Sequence, residues 1–298
     1  MKRPAIILLL AAALAAAVML FKGCNKEEPA PKKEPVHIKA QTPDAILPLV
    51  KALADAYSEK NPEVTLDLSS GNSSAGIAAL HSGAAEISFS RRELKPREHM
   101  ESIKRWGSEA GEFLAGYDAL AVYTHPSNPL KEISMPELTE MWAAGGSITK
   151  WDQLGNGFTG DILFVGRVLT SDTSEVFAES VCRNAENGKP RGFRKGISEL
   201  ATPAAVVDTV SKTPAAIGYA GMTYKTDAVN RLKISSAKGQ PALEPDAANV
   251  RSGAWPLFCR LYIYAAPGAS PASQAFIDWC LGAEGQAVVS KQGFVPLK

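Results

Sequence analysis

The stretch DILFVGRVLTSDTSEVFAESVCRN (161–184) decides the fold class. Residues 162–165 are an apolar run short enough for a buried strand. Residues 175–182 have helical spacing, with Val176, Phe177, Ser180 and Val181 on one face. Arg167, Ser171 and Thr173 lie between the two. A strand that runs through hydroxyl residues into a helix aims unpaired backbone N–H groups and the positive end of a helix dipole at one point. Such a point attracts anions, and Arg167 adds a planar fork of charged donors. Ser171 or Thr173 acting as a plain helix cap is the competing reading.

The rest of the chain bounds the possibilities. Its 298 residues suffice for two lobes with their own cores. A net charge of +1 leaves no basic excess, so no nucleic-acid partner is expected. Lys2 and Arg3 precede an unbroken apolar run over 5–21, slightly short of the roughly 20 residues a spanning helix needs. This marks an export segment over 1–24. Gly23-Cys24 ends it in the manner of a lipoprotein signal, with Cys24 as the lipidated residue; an uncleaved signal anchor is the alternative. Either one puts the protein in the periplasm or cell envelope. Residues 25–36, rich in Pro, Lys and Glu, read as a linker. The exported context would let one pair among Cys182, Cys259 and Cys280 oxidise, leaving one free.

In chain order, a strand begins at 37–40. Asp44 is expected to cap a helix carrying Ile46, Leu49, Val50, Leu53 and Tyr57, and Val64, Leu66 and Leu68 alternate as in a strand. The loop SSGNSSA (69–75) opens a second helix, and Ile87 and Phe89 form a strand followed by Ser90-Arg91-Arg92. Alternation along a strand turns one of those arginines inward and the other to solvent. YDALAVY (117–123) reads as a strand, Ser134 with Glu137 as a capping box, and Thr202-Pro203 as a helix start. LYIYA (261–265) is a strand, and two helices close the chain. Alternating strands and helices give an α/β fold with largely parallel sheets, whose ligands bind beyond the carboxyl ends of the strands. Ser73, Ser90, Arg91, Arg167, Ser171 and Thr173 all fall at such ends.

The segments SSGNSSAGIAAL (69–80), AEISFSRREL (85–94), GYDALAVYTHPSNP (116–129), ITKWDQLG (148–155), VGRVLTSDTSEVF (165–177), AIGYAG (216–221), SGAWPL (252–257) and AFIDWCLGAEGQAVVSKQGFVPL (275–297) together resemble the substrate-binding component of bacterial phosphate ABC importers. The resemblance covers nearly all of 37–298. It implies a two-lobed periplasmic-binding-protein fold of type II, with a hinge and an anion held between the lobes. Residues 37–122 and 225–298 would form lobe 1 and residues 123–224 lobe 2. It further implies inorganic phosphate or a similar oxyanion as ligand, an ABC permease as partner, a monomer and no cofactor. Ser73, Ser90, Arg91, Arg167, Ser171, Asp172 and Thr173 would contact the anion, with Asp44 and Ala45 as further candidates. Arg91 is the arginine the resemblance turns inward.

The chain departs from the family pattern at two loops. Thr42-Pro43-Asp44-Ala45 stands where Gly, Ser and Thr are usual, and Asp172 and Ser174 replace the usual Gly and Arg. Asp44 either caps its helix or accepts a proton from the ligand. Other motifs carry little. Gly155, Gly157 and Gly160 spell a dinucleotide fingerprint but precede a strand, so they read as a turn. Ser147…Lys150 and Ser235…Lys238 lack the companions of acyl-enzymes. His37, His81, His99 and His125 show no metal spacing and serve no triad. Trp142, Trp151 and Trp255 read as packing at lobe edges. The expectation is a binding protein and not an enzyme. Alternatives are a receptor for another small anion, or an anchored scaffold or sensor that has kept the fold and lost phosphate binding.

Overall fold

One strand ties the molecule together. β4 (Gly111–Thr124) is 14 residues long and largely buried. It pairs antiparallel with β11 (Phe258–Ala265) up to Ala119, then with β8 (Ala216–Gly221) from Leu120 onward. The computed structural model describes residues 34–184 and 187–298. The export segment with Cys24, and the linker up to residue 33, lie outside the described residues. Residues 36–298 form one compact unit.

On one side of β4 lies the first lobe. β1 (Val36–Pro43) pairs parallel with both β2 (Val64–Gly71) and β3 (Ile87–Ser90), and β11 runs antiparallel between β3 and β4. On the other side β6 (Leu163–Arg167) pairs parallel with β8 and with β7 (Ser198–Leu200). The order across the sheet is β2-β1-β3-β11-β4-β8-β6-β7, with β9 (Asn230–Arg231) added to the end of β4. β5 (Glu132–Ser134) and β10 (Lys233–Ser235) form a separate pair. Each lobe thus combines two parallel pairings with antiparallel ones.

Helices α1 (Leu47–Lys60), α2 (Ser73–Ser82), α3 (Pro96–Trp106), α8 (Pro271–Leu281) and α9 (Ala283–Lys291) belong to the first lobe. Its core gathers Ile38, Leu49, Leu53, Ile263, Phe276 and Ile277. Helices α4 (Met135–Trp142), α5 (Asp172–Val181), α6 (Pro203–Lys212) and the short α7 (Ala247–Arg251) belong to the second. Trp142, Trp151 and Trp255 are fully buried in the core and not at lobe edges. Trp142 meets Phe164, Phe177 and Tyr219 edge-on with centroids 5.1–5.3 Å apart, a favoured aromatic arrangement. Leu232, Ile234, Val250, Trp255 and Leu257 share that core.

Local chemistry fixes the elements. Ser134 and Glu137 form the expected capping box, the Glu137 carboxylate accepting from the Ser134 N–H at 3.0 Å and from its hydroxyl at 2.7 Å. Thr202 caps α6 with Pro203 in its first turn. Gly116 sits at φ 150°, where an added Cβ would lie 2.9 Å from the Val295 carbonyl oxygen. That carbonyl accepts from the Tyr117 N–H, which binds the chain's last residues to β4. The three cysteines Cys182, Cys259 and Cys280 are buried and free, so no pair is oxidised.

Candidate functional site

Four strand ends meet between the lobes. β1 ends at Thr42 and Pro43, and Asp44 then enters a 3-10 turn, Asp44–Ile46, before α1 starts at Leu47. Neither helical start has a side-chain cap. The expectation that Asp44 caps the helix is therefore not met: Pro43 and the 3-10 turn displace it from the cap position, and its side chain is exposed. β2 runs on through Gly71, and Asn72 caps α2 by accepting the Ala75 N–H at 2.8 Å. Ser73 is the first helical residue and is wholly buried.

β3 ends in Ser90 and Arg91. The Ser90 hydroxyl donates to the Arg92 carbonyl oxygen at 2.7 Å, so it is used within its own turn. Arg91 points inward and is 1% exposed. Its Nη2 meets Asp118 Oδ2 at 2.6 Å and its Nη1 donates to Thr173 Oγ1 at 3.1 Å. Arg92 does not reach solvent as expected. Its side chain is 9% exposed and pairs with Glu98 at 2.7 Å, a partner supplied by α3. Burial works against the Arg91 charge, but Cys259, Asp118 and Asp172 outweigh it and hold the guanidinium above its ordinary value. Burial pushes the Asp118 carboxyl up against the pull of Arg91.

β6 ends in Arg167, 4% exposed. Its Nη1 donates to the carbonyl oxygens of Leu200 and Ala201, and its Nε has no partner. Among the described residues no carboxylate stands within ion-pair distance of it. Burial lowers its pKa, with Asp44 opposing. Ser171 is the N-cap of α5, accepting the Ser174 N–H at 3.2 Å. The capping geometry is thus present together with the anion-attracting helix start. Asp172 and Thr173 form the first turn.

The Asp172 side chain crosses to the first lobe. Both its oxygens accept the Ser73 N–H at 3.0 Å, and Oδ2 also accepts the Ser73 hydroxyl at 2.7 Å. That hydroxyl in turn accepts the Arg91 N–H at 3.1 Å. Nearby, Lys95 Nζ meets Glu175 Oε1 at 2.8 Å.

These contacts divide the candidate residues. Asp44, Ala45, Arg167, Ser171 and Asp172 line a cavity of about 320 Å³ together with Asn72 and Thr170, within the size range of small-ligand sites. Arg91 and Thr173 border a gap of about 10 Å³ shared with Asp118 and Tyr224, room for one water at most, and Arg91 also lines a separate cavity of about 280 Å³ with Lys95, Cys259 and Arg260. Ser73 sits behind Asp172, and Ser90 faces neither space. Asp118 is the residue the sequence reading missed; a carboxylate inside the apolar run of β4 was its only signal. Among the described residues no group of His, Cys, Asp and Glu could hold a metal ion.

A family model described as a PBP superfamily domain matches residues 28–284. The phosphate-binding protein PstS of Pseudomonas aeruginosa is 29% identical over 270 residues, covering 85% of this chain and 81% of that one. The phosphate-binding protein PstS of Bacillus subtilis is 28% identical over 255 residues, 85% of this chain and 78% of that one. A Clostridium perfringens protein solved with bound phosphate superposes with a TM-score of 0.73 at 26% identity, over 88% of this chain and 100% of that one. An ABC-type phosphate transport receptor from Vibrio cholerae, TM-score 0.72 at 18% identity, covers 87% of this chain and 99% of its own, and supports the fold alone. With these matches along a chain whose strand ends and helix starts converge on one cleft, the protein belongs to the PBP superfamily.

Proposed function

We propose that the chain is an extracytoplasmic solute-binding protein that takes an oxyanion, inorganic phosphate first among them, into the cavity beside Arg167 and delivers it to an ABC permease. The observation that carries this is Arg167 itself: a guanidinium 4% exposed, with an unpartnered Nε and no carboxylate against it, on the wall of the interlobe cavity. A buried charge without a counter-ion is costly, and an oxyanion seated there would supply one. The Asp172 and Thr173 N–H groups, which have no intrahelical acceptor, and the Ser171 hydroxyl would add donors at the positive end of α5. The phosphate-binding relatives and the phosphate-bound neighbour support this choice of ligand. Capture and release is the role we assign. Cys24, lipidated or within an uncleaved anchor, would hold the monomer at the membrane, with 25–36 as tether.

The test is thermal unfolding of the full chain in nonionic detergent, with and without millimolar phosphate, arsenate, sulfate and simple carboxylates. Ligand at about 100 times its dissociation constant stabilises by about 2.7 kcal/mol, a rise of roughly 5 °C for a unit of this size. Arg167→Ala should abolish the rise. No shift with any anion, or an equal shift in Arg167→Ala, refutes the assignment. A second reading, a receptor for a different anion, is favoured by one observation: the Asp172 carboxylate already holds the Ser73 donors.

A further inference from the structure

We propose that Asp172 is a resident ligand: its carboxylate fills the anion seat at the start of α2, holds the lobes together without solute, and competes with any anion for that seat. The proposal deepens the binding-protein reading and rests on it. Asp172 and Ser73 are 99 residues apart and belong to different lobes, yet three contacts of 2.7–3.0 Å join them. The carboxylate does at α2 what a bound anion does at a helix N-terminus: it satisfies an orphan N–H and meets the positive end of the dipole. Asp172 is only 6% exposed and Ser73 is fully buried. The donors are therefore closed off from the cavity by a charge the protein carries itself.

The neighbouring contacts reinforce the closure. Thr173 accepts from Arg91 Nη1 at 3.1 Å, and Glu175 meets Lys95 at 2.8 Å. Every one of these bonds runs from the first turn of α5 to the first lobe: to the start of α2, the end of β3 and the start of α3. Of the three α5 residues, Asp172 alone brings a largely buried carboxylate to helix donors, and such bonds are the strong class. Arg91 is already engaged in this arrangement, since Asp118 and Thr173 meet its terminal nitrogens. An incoming anion meets Arg167 and the start of α5, and reaches Ser73 only by expelling Asp172. Two like charges within one small cavity would otherwise repel. Asp172 thereby sets both the affinity and the charge of the solute the cleft accepts.

The test compares wild type, Asp172→Gly and Asp172→Asn as full chains in nonionic detergent. Calorimetry measures phosphate binding, and hydrogen exchange follows residues 71–75, 91–95 and 170–175. The expected result is phosphate binding at least 10-fold tighter in Asp172→Gly than in wild type. Without phosphate, exchange in all three segments is at least 10-fold faster in the glycine variant, and phosphate restores protection; wild type is protected with or without it. Asp172→Asn, which cannot accept both bonds as an anion, falls between and guards against a glycine variant that fails to fold. Equal or weaker phosphate binding in both variants, or unchanged exchange without phosphate, overturns the proposal. If no variant binds any anion, the oxyanion reading fails instead, and the exchange data alone decide whether Asp172 latches the lobes.

Discussion

Asp118→Ala removes the carboxylate facing Arg91 Nη2 at 2.6 Å. The two side chains are 1% and 5% exposed, so this is a buried pair. Deleting one partner leaves a desolvated guanidinium with only the Thr173 hydroxyl on Nη1 and nothing on Nε. Breaking such a pair costs about 3–5 kcal/mol. Asp172 cannot compensate, being held by Ser73. The vacated volume joins a gap of about 10 Å³ and admits a water, which places the expected cost near ~3 kcal/mol. At roughly 2 °C per kcal/mol for a unit of this size, the unfolding midpoint falls by about 6 °C or more. Circular dichroism melts at low ionic strength, with urea titration as the second measure, read this directly. Arg91→Met/Asp118→Ala, which removes both charges, should recover most of the loss. A single mutant within about 1 °C of wild type, or a double mutant no better than the single, refutes the reasoning.

Further outcomes follow from other contacts. Gly116→Ala drives a Cβ to 2.9 Å from the Val295 carbonyl oxygen at φ 150°, and should cost about 1–3 kcal/mol by urea titration. Trp142→Ala should cost about 3–5 kcal/mol; Trp142→Phe should cost about half that, since the indole N–H has no partner to lose. Cys182 and Cys259 are both pushed up to about 12 by burial, and native protein should show no thiol-reagent uptake at Cys182, Cys259 or Cys280 until denatured. Stability should fall in acid. Burial works against the Glu98 and Glu137 charges, but Arg92 for the one and Ser134 for the other outweigh it, and Ser147 holds Glu140 low. All three carboxyls thus lie below their unfolded range, so their contribution is intact above about pH 4.3 and is lost as pH falls through the folded values. Asp118, shifted upward, acts in the opposite sense. Melts from pH 7 to 3 should show the decline, and Glu98→Gln should shrink it.

Much of this was legible in the sequence because it is local. The strand-to-helix passage around Arg167 and Ser171, the Ser134–Glu137 box and the Thr202-Pro203 start depend on residues within one turn of each other. Side chains that answer to distant partners were not legible. Arg92 is drawn in by Glu98 on α3, a helix that buries only Ser102 and that the alternation of β3 does not announce. Ser90 was rightly placed at a strand end, but its hydroxyl bonds within the turn. Asp172 could be read as an unwelcome charge near an anion site. Its seat on Ser73 becomes visible only when two lobes, 99 residues apart at that point, are brought together.

The long strand shared by the lobes also dictates an order of assembly. β11 is the partner of both β3 and β4 in the first lobe, and it is made almost last. In a chain that emerges N-terminus first, the second lobe has all its strands before the first lobe can close. Until residues 258–265 arrive, β3 presents an unpaired edge, the kind of surface that invites aggregation. The final seal is later still, when Val295 bonds back to Tyr117. Losing the last forty or so residues would remove none of the residues that line the Arg167 cavity and yet forfeit the first lobe, which carries Asp44, Asn72 and the rest of one wall. Such distant pairings also make for slow folding, so this chain should depend on protection during and just after its emergence.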